Sequence, residues 1–177
     1  MNYAKIKHFD IANGDGVRVS IFVSGCKFHC KDCFNSETWD YNYGNQYTQE
    51  TEDELINLIS NPNIDGLSIL GGDPLWQDES GLQTLINLVN KVHSMNKTVW
   101  IWSGFTWEQI FPGIVTDDFD ITRVLKQELI SHCDVFVDGR FEVDKRNLKL
   151  KWRGSSNQRI IDVKKTLEQH KINLLED

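Results

Sequence analysis

Residues 17–35 read "VRVSIFVSGCKFHCKDCFN". Val17, Val19, Ile21 and Val23 alternate with Arg18 and Ser20, the two-residue period of a strand. The apolar run stops at Ser24-Gly25, and three of the chain's four cysteines follow at once: Cys26, Cys30 and Cys33. A strand that runs straight into a thiol-rich loop marks one end of a sheet and one place for chemistry.

Outward from this stretch, "NGDG" (13–16) is a turn. "TEDELINLIS" (51–60) opens with Thr51 and Glu54 at capping-box spacing and predicts a short amphipathic helix. "GLSIL" (66–70) predicts a strand running into "GGDP". Leu82, Leu85, Ile86, Val89 and Val92 recur at helical spacing, predicting a helix over 78–95. "KTVWIWS" (97–103) predicts a strand ending at Ser103-Gly104, with Trp100 and Trp102 on one face as packing residues. "ITRVLKQELISH" (121–132) predicts a helix and "CDVFVDG" (133–139) a strand. "KLKWRGSSNQRIID" (149–162) predicts a further extended stretch, with a last helix from about Val163. The acidic run "TDDFD" (116–120) reads as a solvated loop.

Strands alternating with helices predict an α/β fold with a largely parallel sheet. In such sheets ligands gather beyond the carboxyl ends of the strands. The cysteine loop, Gly71-Gly72-Asp73-Pro74, Ser103-Gly104 and Asp138-Gly139-Arg140 all fall on those ends.

A length of 177 residues predicts one domain, 1–177, able to bury its own core. The net charge of -7 gives no footprint for nucleic acid or anionic lipid. "MNYAKIKHFD" lacks a signal-peptide core, and no apolar run is long enough for a bilayer, so a cytoplasmic protein without a membrane partner is expected. Cysteines there are free or metal-bound rather than a disulfide framework.

Cys26, Cys30 and Cys33 form C-x3-C-x2-C, tight enough to wrap a single cofactor. A zinc ribbon needs a second, distant C-x2-C pair, which is absent. His29 or His8 could complete a Cys3His zinc site, so a zinc-binding adaptor module stands as an alternative. Cys133 has no thiol near it in sequence and reads as a core residue. Three thiolates suit a [4Fe-4S] cluster with one iron left open to a ligand, whereas ferredoxin-type carriers use four per cluster.

The spacing resembles the signature of radical S-adenosylmethionine enzymes. "GDGVRVSIFVSGCKFHCKDCFN" (14–35) resembles the glycyl-radical activating enzymes, including the turn glycines, Gly25 and Asn35. "GLSILGGDPL" (66–75), "WIWSGF" (100–105), "VDGRF" (137–141) and "LKWRGSSNQR" (150–159) are similar to the activating proteins of anaerobic ribonucleoside-triphosphate reductase. The resemblance covers nearly the whole chain in order.

It implies an open, partial (βα) barrel with the cluster at its C-terminal rim, since a full eight-unit barrel takes about 250 residues. It implies that Cys26, Cys30 and Cys33 ligate the cluster and that the methionyl amino and carboxylate groups of S-adenosylmethionine chelate the open iron. Reductive cleavage then gives a 5′-deoxyadenosyl radical that takes hydrogen from a glycine of the reductase. No catalytic residue beyond the cluster ligands is implied. Gly71, Gly72 and Asp73 would face the methionyl ammonium, through backbone oxygens around Gly72 more than the Asp73 carboxylate; a plain turn is the other reading. Ser103 belongs to the same cofactor rim. The backbone of Asp32, Cys33 and Phe34 would meet the adenine. Asp138 and Arg140 would meet ribose and carboxylate, or Arg140 is a solvated turn cation. Arg153, Gln158 and Arg159 would contact the reductase or cover a barrel edge. The implied partners are the reductase and an electron donor such as flavodoxin, and a homodimer is compatible with the reading. A small radical enzyme acting on a free purine-like metabolite is the nearer alternative.

Overall fold

The computed structural model of the chain describes residues 1–113 and 120–175. Most of the acidic run (116–119) lies outside the described residues. Seven strands, β1 (Asn2–Asp10), β2 (Arg18–Val23), β3 (Asn45–Gln46), β4 (Gly66–Gly71), β5 (Thr98–Ser103), β6 (Val135–Asp138) and β7 (Arg159–Asp162), form one sheet. Their order is β3-β1-β2-β4-β5-β6-β7. The central four, β2, β4, β5 and β6, are parallel neighbours, while β1, β3 and β7 pair antiparallel at the edges. The sheet is therefore mixed, with its parallel part where the βαβ pattern places it.

Helices α1 (Gln49–Ile59), α2 (Glu79–Ser94), α3 (Trp107–Ile110) and α4 (Ile121–Ser131) lie in the crossovers between the parallel strands, and α5 (Val163–Gln169) follows β7. Val19, Ile21, Leu67, Ile69, Val99, Ile101 and Phe136 are fully buried and pack with Leu55, Leu82, Leu85 and Leu129 of the helices. Because strand side chains alternate, the opposite face carries Phe22, Leu70, Trp100 and Trp102. Trp100 and Trp102 stack there at 5.8 Å, and Trp152 meets Trp100 edge-on at 5.0 Å.

Arg18 is 1% exposed, at the amino end of β2. A buried cation needs its hydrogen bonds made. Its Nε donates to Ser68 Oγ (2.8 Å), Nη2 to the Leu67 and Thr98 carbonyls (2.8 and 3.0 Å) and Nη1 to Thr98 Oγ1 (3.0 Å). Burial lowers its pKa to about 10. One guanidinium thus ties β2, β4 and β5 together at the end away from the cysteines.

Three expectations need correction. The reading above places no strand before residue 17, yet β1 precedes the strand that leads to the cysteines, and register shifts at Tyr3/Lys5 and Lys7/Asp10 erase the alternation that would have marked it. The α1 cap is Thr48, with Thr51 as the third helical residue closing the capping box, so Thr51 is not the cap. Only Arg159–Asp162 of the tail is strand, and residues 149–158 form turns and bends with one isolated bridge, Ser155 to Arg146. Among the described residues no helix is long and apolar enough to cross a membrane.

Candidate cluster and cofactor site

The cysteine loop leaves the carboxyl end of β2, and Gly71-Gly72-Asp73 leaves the same end of β4 beside it. The Gly72 amide donates to the Val23 carbonyl (2.7 Å) and the Asp73 amide to that of Gly25 (2.9 Å). Gly25 in turn donates to Thr38 (2.8 Å), and Cys26 to Trp39 (3.1 Å). A Cβ on Gly72 would stand 2.7 Å from the carbonyl oxygens of both Gly25 and Thr38. Only glycine allows the two loops to lie this close.

Within the cysteine loop, His29 (φ 48°) and Asp32 (φ 55°) adopt the left-handed conformation. Each immediately precedes a cysteine, and the Cys33 amide donates to the Cys30 carbonyl at 3.2 Å. Left-handed backbone costs a non-glycine residue about 1 kcal/mol or more, and such strain concentrates at functional sites. The two reversals fold a short loop so that Cys26, Cys30 and Cys33 all border one cavity of about 500 Å³. That volume is in the range of small-molecule sites.

All four cysteines are free thiols. Burial pushes the Cys26 thiol up to about 11, with the charge of Asp73 adding to it. Burial, then the neighbouring Cys33, pushes Cys30 up as well. Metal binding takes the thiolates, so loading this loop releases protons. Cys133 is buried elsewhere, in the helix-side core, with its thiol donating to the Leu129 carbonyl at 3.2 Å. Neither histidine proposed for zinc borders the cavity: His29 stacks on Trp39 at 4.6 Å, and His8 lies 3.5 Å from Glu54. Among the described residues no group of His, Cys, Asp and Glu could hold a lone metal ion. Three thiols around a cofactor-sized space, with no fourth Cys or His among the described lining residues, fit a cluster that spreads its irons over separate ligands and keeps one open.

The cavity is also lined by Phe34, Gly71, Gly72, Asp73, Ser103 and Arg140, six of the residues named above for the cofactor rim. Asp32 and Asp138 are not among its lining residues. Asp73 is 1% exposed, and its carboxylate is filled by protein donors: Ser103 Oγ (2.9 Å), the Gly104 amide (2.8 Å) and the Leu75 amide (2.8 Å). Burial outweighs these bonds and raises its pKa to about 6. Asp73 and Ser103 therefore join the β4 and β5 loops, and the polar atoms they leave for a ligand are backbone ones. Asp138 is fully buried, accepting from the Trp107 amide (2.7 Å) and from Arg159 Nε (2.9 Å). Its carboxylate faces the wall. The Arg140 guanidinium lies 4.3 Å from the centre of the Phe28 ring.

Several lining residues escaped the sequence reading: Phe22, Leu70, Phe28, Trp39, Phe141, Lys5 and Lys7. Phe22 and Leu70 were readable as the alternate face of their strands. Lys5 and Lys7, whose ammonium groups stand 4.6 and 5.3 Å from the Phe22 ring centre, belong to the unrecognised β1.

The tail motif is a staple. Gln158 Oε1 accepts from the Gly154 and Ser155 amides (2.9 and 3.1 Å), and its Nε2 donates to the Gly139 carbonyl (3.0 Å). Asn157 Nδ2 donates to the Arg140 carbonyl at 2.8 Å. These bonds close the neck of the loop over 140–153. Arg159 braces the wall from outside, bonded to Asp138 and, through two nitrogens, to Glu108 at 2.9 and 2.8 Å.

Residues 12–161 match the family described as a 4Fe-4S single cluster domain. A protein of Vibrio cholerae named anaerobic ribonucleoside-triphosphate reductase-activating protein is 38% identical over 162 residues, covering 89% of this chain and 96% of that one. Proteins of the same name from Enterobacteria phage T4 and Escherichia coli K12 are 37% and 33% identical, over 90% and 89% of this chain and 93% and 96% of theirs. With a cluster-binding family matched across most of the sequence, and relatives covered almost end to end, the chain belongs to the family of anaerobic ribonucleoside-triphosphate reductase-activating proteins.

Proposed function

We propose that this chain activates an anaerobic ribonucleoside-triphosphate reductase by removing a hydrogen atom from one of its glycines, using S-adenosylmethionine cleaved at a [4Fe-4S] cluster. The observation that carries the reading is the meeting of Cys26, Cys30, Cys33 and Gly71-Gly72 around one cavity at the carboxyl rim. In this reading the sheet serves as an open, partial (βα) barrel of a single radical S-adenosylmethionine domain over 1–177, working in the cytoplasm with a reductant protein such as flavodoxin.

The three thiolates would hold the cluster, which when bound supplies the electron that splits the sulfonium bond and so yields the carbon radical that attacks glycine. The remaining work falls to the chain. Backbone carbonyls around Gly72 accept from the methionyl ammonium, because the Asp73 carboxylate is already occupied by Ser103, Gly104 and Leu75. Arg140 offers its guanidinium to the methionyl carboxylate. The backbone of Cys33 and Phe34 meets the adenine edge, with Asp32 shaping the turn behind them, and Asp138 holds the β6 end in place through Arg159. Phe22, Leu70, Phe28, Phe34, Phe141, Trp102 and Trp152 line the space with apolar surface, which keeps water from a reactive radical.

The test follows a label. Reductase carrying deuterium on its glycine α-carbons is incubated anaerobically with the reconstituted chain, S-adenosylmethionine and dithionite. Mass spectrometry should find deuterium in the 5′-deoxyadenosine released. Unlabelled 5′-deoxyadenosine with the reductase left inactive would contradict the proposal.

A further inference from the structure

The loop over 140–153 carries six cationic residues, Arg140, Lys145, Arg146, Lys149, Lys151 and Arg153, against two carboxylates, Glu142 and Asp144. That is a surplus of four positive charges in a chain whose net charge is -7, leaving -11 on the remainder. The asymmetry has a definite place. The loop leaves the carboxyl end of β6, and Arg140, Phe141, Leu148, Leu150 and Trp152 from it border the cavity. Its inner side is latched to the cysteine loop by two guanidinium–ring contacts, Arg140 on Phe28 at 4.3 Å and Arg146 on Phe34 at 4.8 Å. Gln158 closes its neck. Its outer side is free of such ties at Leu148, which is 81% exposed at the cavity mouth, and the neighbouring Lys149 and Lys151 are exposed as well.

We propose that the outer side of this loop is the docking surface for the reductase, and that it fits an acidic segment of the reductase carrying an apolar residue for Leu148. The inference rests on the proposed function and adds where the partner binds and by what chemistry. A protein substrate must reach the cavity through its mouth, because the hydrogen transferred has to come within contact of the reacting carbon. An acidic partner is repelled by a remainder of net charge -11 and attracted by a lip of +4, so long-range forces turn the mouth towards it before contact. Leu148 gives the centre of the patch the apolar contact that interfaces use, with the lysines as its polar rim. The rigid neck holds this surface in one position relative to the cysteines, so docking also sets the depth to which the glycine enters.

The experiment compares the wild-type chain with a Lys149→Glu/Lys151→Glu variant and with Leu148→Asp, all reconstituted with iron and sulfide. Dithionite is the reductant, so no electron-donor protein is present to compete for the lip. Two readouts are taken: S-adenosylmethionine cleavage by the chain alone, and the reductase concentration giving half-maximal glycyl radical. Neither lysine borders the cavity, and the one ring contact, Lys151 over Trp152, is long at 5.8 Å, so the double variant should cleave S-adenosylmethionine at close to the wild-type rate. Its half-saturating reductase concentration should rise about tenfold or more at low salt. The wild-type value should climb towards the variant's as salt is added, because the Debye length shrinks from about 10 Å at 0.1 M to about 3 Å at 1 M. Leu148→Asp should raise half-saturation with little change in that salt dependence. An unchanged half-saturation in the double variant would overturn the docking surface and leave the proposed function intact. Loss of both readouts together would place the lip in cofactor binding, which also overturns it. A change in the chain's own self-association on charge reversal, with activation unaltered, would assign the lip to a second copy of this chain instead. No radical even with the wild-type chain would sink the proposed function itself.

Discussion

Ser103 Oγ lies 2.9 Å from both carboxylate oxygens of Asp73, so the loop after β5 is bonded to the loop after β4 at the foot of the cavity. With the Gly104 and Leu75 amides also donating to it, this carboxylate is a buried acceptor for three groups. Asp73→Asn turns an NH2 towards one of the two backbone amides and leaves that N–H unsatisfied, at about 1–3 kcal/mol for a lost partner. Burial lifts the native pKa to about 6 against an ordinary 3.8, so wild-type stability falls as pH rises between them while the Asn variant does not titrate. The loss in urea unfolding of the cluster-free chain should be about 1–2 kcal/mol near pH 4 and shrink as pH rises through 6. Ser103→Ala, which removes one donor to Asp73 and the acceptor of the Phe105 amide (3.1 Å), should cost about 1–2 kcal/mol. An Asp73→Asn chain as stable as wild type near pH 4 would refute this account of the foot.

Arg159 gives the fold a pH dependence at the acid end. Its hydrogen bonds hold the Glu108 carboxyl at about 2, against an ordinary 4.5. Because the native pKa is the lower one, the unfolded chain takes up the proton first. The stabilisation is therefore present above about pH 4.5 and is lost as pH falls towards 2. Glu108 is 59% exposed, so solvent screening keeps the contribution to about 1 kcal/mol or less. The stability difference between wild type and Glu108→Gln, read from urea midpoints, should shrink as pH falls through that window. A difference independent of pH would contradict the pairing.

Gly72 is a position in the site loops where one methyl group should be costly. Its Cβ would meet two carbonyl oxygens at 2.7 Å, and backbone cannot swing aside as a side chain can. Gly72→Ala should lose S-adenosylmethionine cleavage and retain iron poorly. Gly104→Ala, whose Cβ would meet the Phe28 ring at 2.5 Å, should be milder because the ring can rotate. Gly113→Ala, with nothing within 4 Å, serves as the control. Iron analysis after desalting ranks the three variants, and equal retention would contradict the close-approach argument.

What the sequence made legible follows from how local each signal is. The strand ending in the cysteine loop, the GGDP turn and the α2 periodicity each depend on a few neighbouring residues, and the parallel core they imply is present. Edge strands were harder. β1 is bulged and half-exposed, so its apolar residues keep no period, and Lys5 and Lys7 went unnoticed as cavity residues. Asp138 and Arg140 sit two positions apart and read as one ligand pair, yet the buried Asp138 carboxylate is taken by Arg159, which is far away in sequence. The tail stood out as "WRGSSNQR", the stretch specific to the resembled family, and within it Gln158 and Asn157 spend their side chains on loop carbonyls and amides. Long-range pairing of this kind leaves no spacing signature.

The cysteines divide three to one. Cys26, Cys30 and Cys33 border the cavity, whereas Cys133 packs in the helix-side core at 4% exposure. Replacing any of the three with Ala should abolish cluster retention, seen as loss of brown absorbance and of bound iron. Cys133→Ala should keep both and lose about 1 kcal/mol of stability for the small cavity it leaves. A Cys133→Ala chain that folds but reconstitutes without iron would overturn the ligand assignment.

The central claim is that this chain places a radical on a glycine of its partner, and electron paramagnetic resonance reads that directly. The reconstituted chain, reductase, S-adenosylmethionine and dithionite are mixed without oxygen and frozen. The account predicts an organic-radical doublet, split by the one α-hydrogen left on the glycine, that appears only with all components and collapses to a singlet when the reductase is made with α-deuterated glycine. A reaction that consumes S-adenosylmethionine with no protein radical, or a signal unmoved by the deuterium, would contradict it.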